Sequence, residues 1–186
     1  MGAGISVKAS DAIRAAQKDG ADELYLKECE LKELPKSLAK KFKKLKKLVL
    51  TRNYIAVLPK EISAFQLLET FKIDGNELTT LPPEILNLGA LKNLNVANNQ
   101  LSELPAPLSQ LTALTKLNIS TNRITDLPAD FPKLGRLTTI KFAHSGLTSW
   151  PAVLFESKQL THIDLSGTSD ALLSYYSFMM YFNSRG

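Results

Sequence analysis

Apolar residues recur along this chain in one fixed phrase. It reads most cleanly as Leu91-x-x-Leu94-x-Val96-x-x-Asn99-x-Leu101-x-x-Leu104-Pro105-x-x-Leu108-x-x-Leu111. Asn53, Asn76, Asn99 and Asn122 hold the same place in successive phrases, 23 residues apart. The opening apolar pairs are Leu24/Leu26, Leu48/Leu50, Phe71/Ile73, Leu94/Val96, Leu117/Ile119, Ile140/Phe142 and Ile163/Leu165. Alternation with period two predicts a short strand at each pair, with one face inward. The second half of each unit opens on Leu34-Pro35, Leu58-Pro59, Leu81-Pro82, Leu104-Pro105, Leu127-Pro128 or Trp150-Pro151. Proline lacks a backbone donor, so these segments are predicted to form extended or 3₁₀ turns rather than a second sheet.

One such unit cannot bury its leucines alone. Stacking supplies the missing surface, so the spacing predicts a solenoid of about seven turns around a continuous core. The Asn column lies where the chain leaves each strand. A side-chain amide there can satisfy backbone groups that the bend would bury unpaired, so the column is predicted to be scaffold rather than ligand site. Cys29 holds that place in the first unit, and Ser145 and Thr168 in the last two. The ladder is therefore expected to weaken at both ends.

The ends break the pattern. Ser6 to Lys18 reads as an amphipathic helix, capped by Ser6 or Ser10 and stopped by Gly20, that covers the first unit. Ser169-Asp170 can cap a last helix through Ala171–Asn183 over the other end; the competing reading is a partner-docking or membrane-touching segment. The expected organisation is 1–20 for an acylation motif and capping helix, 21–168 for the repeats, and 169–186 for a C-terminal cap or tail.

Charge changes the picture at one end. Residues 1–60 carry 14 Lys and Arg against seven Asp and Glu, a net of +7; the remainder nets −2, which accounts for the total of +5. Between Lys36 and Lys47 lie seven lysines in twelve residues, among them Lys40, Lys41, Lys43, Lys44, Lys46 and Lys47. Phe42 and Leu45 belong to the core pattern, so these lysines are expected to splay outward. Met1-Gly2-Ala3-Gly4-Ile5-Ser6 fits the N-myristoylation pattern, with Gly2 as acyl acceptor. One acyl chain anchors marginally and needs a second signal such as a polybasic patch. Both signals lie at the same end, which predicts contact with an anionic membrane surface.

The outward side chains of the strands form the candidate partner surface. One column is Tyr25, Val49, Lys72, Asn95, Asn118, Lys141 and Asp164; the flanking one contains Arg52, Asn98, Thr121 and His144, with Asp74 beside it. This surface is polar and mixed in sign, which suits a transient protein interface. Cys29 is five or six units from His144 and His162, so no nucleophile–base pair is visible. No enzyme, cofactor or metal role is expected. Nucleic acid is not an expected partner, because the lysines come without an arginine cluster or aromatic platform. A single cysteine allows no internal disulfide and points to a reducing, cytoplasmic setting.

The phrase carried by Leu45 to Phe65, Leu68 to Leu88, Leu91 to Leu111 and Leu114 to Leu134 resembles the Ras-group intracellular leucine-rich-repeat proteins, such as Scribble, Erbin, Ras suppressor protein and the plant intracellular Ras-group repeat proteins. The resemblance implies an α/β right-handed horseshoe with a parallel concave sheet. It further implies a scaffold in signalling, with a small GTPase or signalling protein on the concave side; the chain is expected to be a monomer. The alternative it leaves is a substrate-recognition fragment of a larger complex such as a ubiquitin ligase. Repeat six departs from the phrase, with Ser145 in place of Asn and Val153-Leu154-Phe155 breaking the L-x-x-L pattern.

Overall fold

The structure, a computed structural model, describes residues 6–147 and 149–167. Seven three-residue strands form one parallel sheet in chain order. They are β1 (Glu23–Tyr25), β2 (Lys47–Val49), β3 (Thr70–Lys72), β4 (Asn93–Asn95), β5 (Lys116–Asn118), β6 (Thr139–Lys141) and β7 (His162–Asp164). The register has no slip: Leu24, Leu48, Phe71, Leu94, Leu117, Ile140 and Ile163 pair in one line. Among them only Ile163, on the last strand, is not fully buried.

The return segments follow from the prolines. Residues Lys60–Ala64, Pro83–Asn87, Leu108–Gln110 and Phe131–Lys133 form 3₁₀ turns, while α2 (Leu38–Lys41) and α3 (Val153–Glu156) are single α turns. The carbonyls of Pro35, Pro59, Pro82, Pro128 and Pro151 accept from the N–H groups of Leu38, Ile62, Ile85, Phe131 and Leu154 at 2.9–3.0 Å. Each proline thus starts a turn with the acceptor it retains, and each donor belongs to a buried apolar residue of the one continuous core. Full burial of such a side chain contributes roughly 1.5–3 kcal/mol.

The Asn column is internal scaffold. Asn99 Nδ2 donates to the carbonyls of Ile73 and Val96, both at 3.0 Å, and Oδ1 accepts from Leu78 N–H at 3.0 Å. Asn76 and Asn122 repeat the arrangement, and Asn53 accepts from both Cys29 and Leu31 N–H. Every rung therefore ties one repeat to the one before it. The rung fails at Ser145, whose buried hydroxyl has no hydrogen-bond partner among the described residues, being too short to reach across the repeat.

Helix α1 (Val7–Lys18) closes the first repeat. Ser6 caps it, accepting from Ala9 N–H at 3.2 Å and donating to the Cys29 carbonyl at 2.5 Å. Ala9 and Ile13 are buried against the repeat, and Gly20 takes a left-handed φ of 61° just past the helix. The expected helix over Ala171–Asn183 lies outside the described residues. Among those described, no helix is long and apolar enough to cross a membrane.

Candidate interaction surface

Three columns of side chains leave the concave sheet. The central one runs Tyr25, Val49, Lys72, Asn95, Asn118, Lys141, Asp164, as the register dictates. Tyr25 and Lys141 are exposed, and Lys72, Asn95, Asn118 and Asp164 are half-buried. Val49 does not meet its expectation as a contact residue: only 7% of its surface is exposed. It stands in register between Tyr25 and Lys72, and its short side chain is shaded by longer neighbours. It floors the surface rather than presenting to a partner.

Several of these polar groups are already committed inward. Asn95 Oδ1 accepts from Ala97 N–H at 3.2 Å, and Asn118 Oδ1 from Ser120 N–H at 3.1 Å. Asp164 Oδ1 accepts from Ser166 N–H at 3.1 Å and from its hydroxyl at 2.8 Å. These bonds, the hydroxyl first, hold the Asp164 carboxyl below the ordinary carboxylate range. Asp74 Oδ1 accepts from Thr51 Oγ1 at 3.1 Å and Asn95 Nδ2 at 2.9 Å. These groups occupy N–H donors that the sheet ladder does not use.

The flanking column has a conformational signature that periodicity does not reveal. Glu28, Arg52, Gly75, Asn98, Thr121, His144 and Gly167 all have left-handed φ between 49° and 70°. Each stands one residue before the Asn column or its replacement, where the chain turns out of the strand. Glycine fits such a position freely, whereas Thr121 is β-branched and strained there. The corners also pack on one another. A Cβ at Gly75 would lie 3.3 Å from Arg52 Cγ, and one at Gly167 would overlap the His144 ring. Arg52, Asn98, Thr121 and His144 are exposed at this rim.

The lysine run divides into two groups. Lys46 pairs with Asp22 at 3.0 Å, and Lys47 with Glu23 at 3.3 Å. Lys47 also lies 5.0 Å from the centre of the Tyr25 ring, and Tyr25 OH donates to Glu23. The Tyr25 hydroxyl first, then Lys47, depresses the Glu23 carboxyl, and Lys46 depresses Asp22. These two lysines take part in the sheet's own charge pairing. Strand alternation turns Lys47 onto the concave face, opposite to the buried Leu48. Lys40, Lys41, Lys43 and Lys44 are exposed. With Ala16, Gln17 and Phe42 they line a shallow cleft of about 290 Å³ beside the end of α1. Gly2 lies outside the described residues.

Cys29 is buried, and desolvation pushes its thiol up. His162 Nδ1 lies 2.8 Å from Thr161 Oγ1, and His144 leans over Gly167. Among the described residues no group of three His, Cys, Asp or Glu side chains is arranged to hold a metal. Sequence reasoning did not anticipate the exposed apolar side chains of Tyr54, Val57 and Leu67. Tyr54 and Val57 flank buried Ile55 and Leu58, so alternation carried their signal.

The family described as a leucine-rich repeat region matches residues 23–120, and a second repeat description matches 113–134. The chain belongs to the leucine-rich-repeat proteins. Two of the solved structures it resembles are of the same kind. A leucine-rich-repeat protein of Leptospira interrogans superposes with a TM-score of 0.77 at 28% identity, over 81% of this chain and 39% of that one. The leucine-rich-repeat domain of the type III effector XopL also gives 0.77 at 28% identity, over 85% and 56%. The plant peptide hormone receptor RGFR1, solved in complex with RGF2, gives 0.68 at 28% identity, over 77% and 24%. The match thus spans less than two thirds of each of these neighbours. No curated protein matches the sequence at a significant level.

Proposed function

We infer that this leucine-rich-repeat protein is a non-enzymatic adaptor that holds a protein partner on its concave sheet. The observation that carries this reading is the division of labour among the columns. The inward columns and the Asn ladder build the solenoid, while the outward columns of all seven strands stand in unbroken register and carry exposed or half-buried polar side chains along the sheet. A flat array of this kind, about 30 Å long at ~4.8 Å per strand, suits a polypeptide rather than a small molecule. The receptor neighbour solved with RGF2 supports the reading by likeness. A monomeric cytoplasmic role in signalling, with a small GTPase or another signalling protein as partner, rests on the Ras-group phrase.

The test is capture from native cells with variants of the full chain. Lys72→Glu, Asn95→Trp and Lys141→Glu together are expected to abolish capture with the melting temperature unchanged. Loss of folding in parallel with capture overturns the surface assignment.

Membrane tethering belongs to the same proposal. It joins the Gly2 motif to Lys40, Lys41, Lys43 and Lys44, the lysines of the run that are exposed beside α1. Each basic residue near an anionic leaflet contributes about 1 kcal/mol, so four assist an acyl chain without replacing it. Gly2→Ala is expected to release the protein almost completely from the membrane fraction. Neutralising the four lysines is expected to release it partly, in a salt-dependent way. An intact mass from native cells without an acyl addition ends the tethering proposal and leaves the adaptor reading standing.

A further inference from the structure

Several acceptors of the concave face are engaged within the chain, while its Lys72, Lys116 and Lys141 are not ion-paired among the described residues. Over β3 to β7 its carboxylates are Asp74 and Asp164. Asp74 Oδ1 is taken by Thr51 and Asn95, and Asp164 Oδ1 by two groups of Ser166. Asn95 and Asn118 likewise spend their oxygens on backbone N–H groups. Asn118 Nδ2 has no acceptor among the described residues, and it is a donor. Lys72, Lys116 and Lys141 have no carboxylate within ion-pair distance among the described residues, in contrast to Lys46, Lys47 and Arg52 on the first two repeats.

The formal charges of this surface are mixed, with three lysines against two carboxylates; Asp164 stands in register beside Lys141 and feels its charge, while Lys72 and Lys116 have no ion-pair partner among the described residues. Lys116, Lys141, His162 and Asp164 also line a depression of about 870 Å³ over β5 to β7. Lys72 lies three strands from Lys141, roughly 14 Å at ~4.8 Å per strand, with Asn95 and Asn118 on the strands between. A line of ammonium groups with amide donors between them matches acidic side chains alternating with backbone carbonyls.

We propose that the concave face from β3 to β7 is a receptor for an extended acidic polypeptide segment, held by Lys72, Lys116 and Lys141. The proposal rests on the adaptor reading and specifies the chemistry of its partner. A polypeptide fits better than a nucleic acid, because Tyr25, the aromatic of the central column, is engaged with Glu23 and Lys47 at the far end. Stacking on aromatic side chains is what binds single strands without sequence preference.

The experiment uses the full chain and fluorescent twelve-residue peptides of alternating Glu and Ser, Gln and Ser, or Lys and Ser, read by anisotropy at low and high salt. The Glu peptide alone is expected to bind, and to weaken with salt. Lys72→Glu, Lys116→Glu and Lys141→Glu combined are expected to weaken it about tenfold or more. Lys40→Glu, Lys41→Glu, Lys43→Glu and Lys44→Glu combined are expected to leave it unchanged, with an unaltered melting temperature in both variants. Equal binding of the Gln peptide overturns the proposal, as does an effect confined to the end lysines. Tighter binding of an oligothymidine of equal charge reassigns the face to nucleic acid. A concentration-dependent sedimentation shift abolished by the concave variant reassigns it to a second copy of the chain. If the Glu peptide fails while Asn95→Trp still blocks capture of a native partner, the adaptor reading stands and this one falls.

Discussion

Along the leading edge of the sheet, just before each strand, the first four repeats are joined by charges and the last three by hydroxyls. Asp22 pairs with Lys46 at 3.0 Å and Glu69 with Lys92 at 2.7 Å. From repeat five the same column is threonine: Thr115, Thr138 and Thr161 donate to the carbonyls of Lys92, Thr115 and Thr138 at 2.9, 3.2 and 3.2 Å. The backbone ladder and the core run through both halves without a break, so the fold does not need either chemistry. The difference decides what remains for the surface. Along this edge Lys46 and Lys92 are paired with carboxylates; in the second half hydroxyls join the repeats, and Lys116 and Lys141 have no carboxylate within ion-pair distance among the described residues. The Asn ladder makes a second contrast, complete from Asn53 to Asn122 and missing its rung at Ser145.

The largest effect should come from the core that the halves share. Leu94→Ala and Leu117→Ala sit on either side of the boundary, each with 1% exposure. Each is expected to cost about 2–5 kcal/mol through the cavity left behind. Urea unfolding should remain one transition in both variants; two separate transitions in either would make the halves independent units. Next in size, Asn99→Ala removes a rung that serves four backbone groups, and is expected to cost about 1–3 kcal/mol. Unchanged stability with lost partner capture would turn the ladder from scaffold into binding site.

Two substitutions should improve the weaker half. Ser145→Asn restores the missing rung and is expected to add about 1 kcal/mol. Thr121→Asn keeps the left-handed corner, with φ near 54°, using a residue that tolerates it as Asn98 does at 52°. Its expected gain is also about 1 kcal/mol. Denaturation midpoints check both, and a loss at either position would contradict the local geometry.

The smallest effect separates the two edges by salt rather than by acid. About 1 M salt shortens screening to ~3 Å and weakens exposed pairs, so amide exchange at β1 and β2 should quicken while β6 and β7 hold. Acid touches both halves. Asp22 and Glu28 are depressed by Lys46 and Arg52, Glu23 by the Tyr25 hydroxyl and then Lys47, and Asp164 by Ser166. Carboxyls depressed in the folded state stabilise it above their unfolded pKa, roughly 4. That contribution is lost as pH falls through the lower folded values. Exchange that responded equally to salt at β6 and β1 would remove the distinction.

The fold was legible because one constraint repeats. Leucine at a fixed offset in every phrase leaves a single register that buries all of them, and the Asn column follows from the unpaired backbone at each bend. The terminal helix was legible too, through Ser6 and Gly20. The surface was less so. Val49 reads as outward by alternation, yet it is buried, standing in register between the longer Tyr25 and Lys72, and burial of that kind depends on neighbours across strands rather than along the chain. The lysine run reads as one patch in sequence, but strand β2 begins inside it and turns Lys47 toward Glu23.

Sequence alone thus determined the period, the strands, the buried columns and the family, because each is set by hydrophobic residues within one repeat and multiplied by repetition. Only the tertiary structure decided which charges are free. Pairing joins residues 23 or 24 positions apart whose side chains meet only once repeats are stacked, and whether Asp74 faces a partner or Thr51 and Asn95 is settled by that stacking. The left-handed corners from Glu28 to Gly167 belong to the same class. A glycine marks two of them, but Thr121 and Arg52 carry no local signal, and it is the packed turn that holds them there.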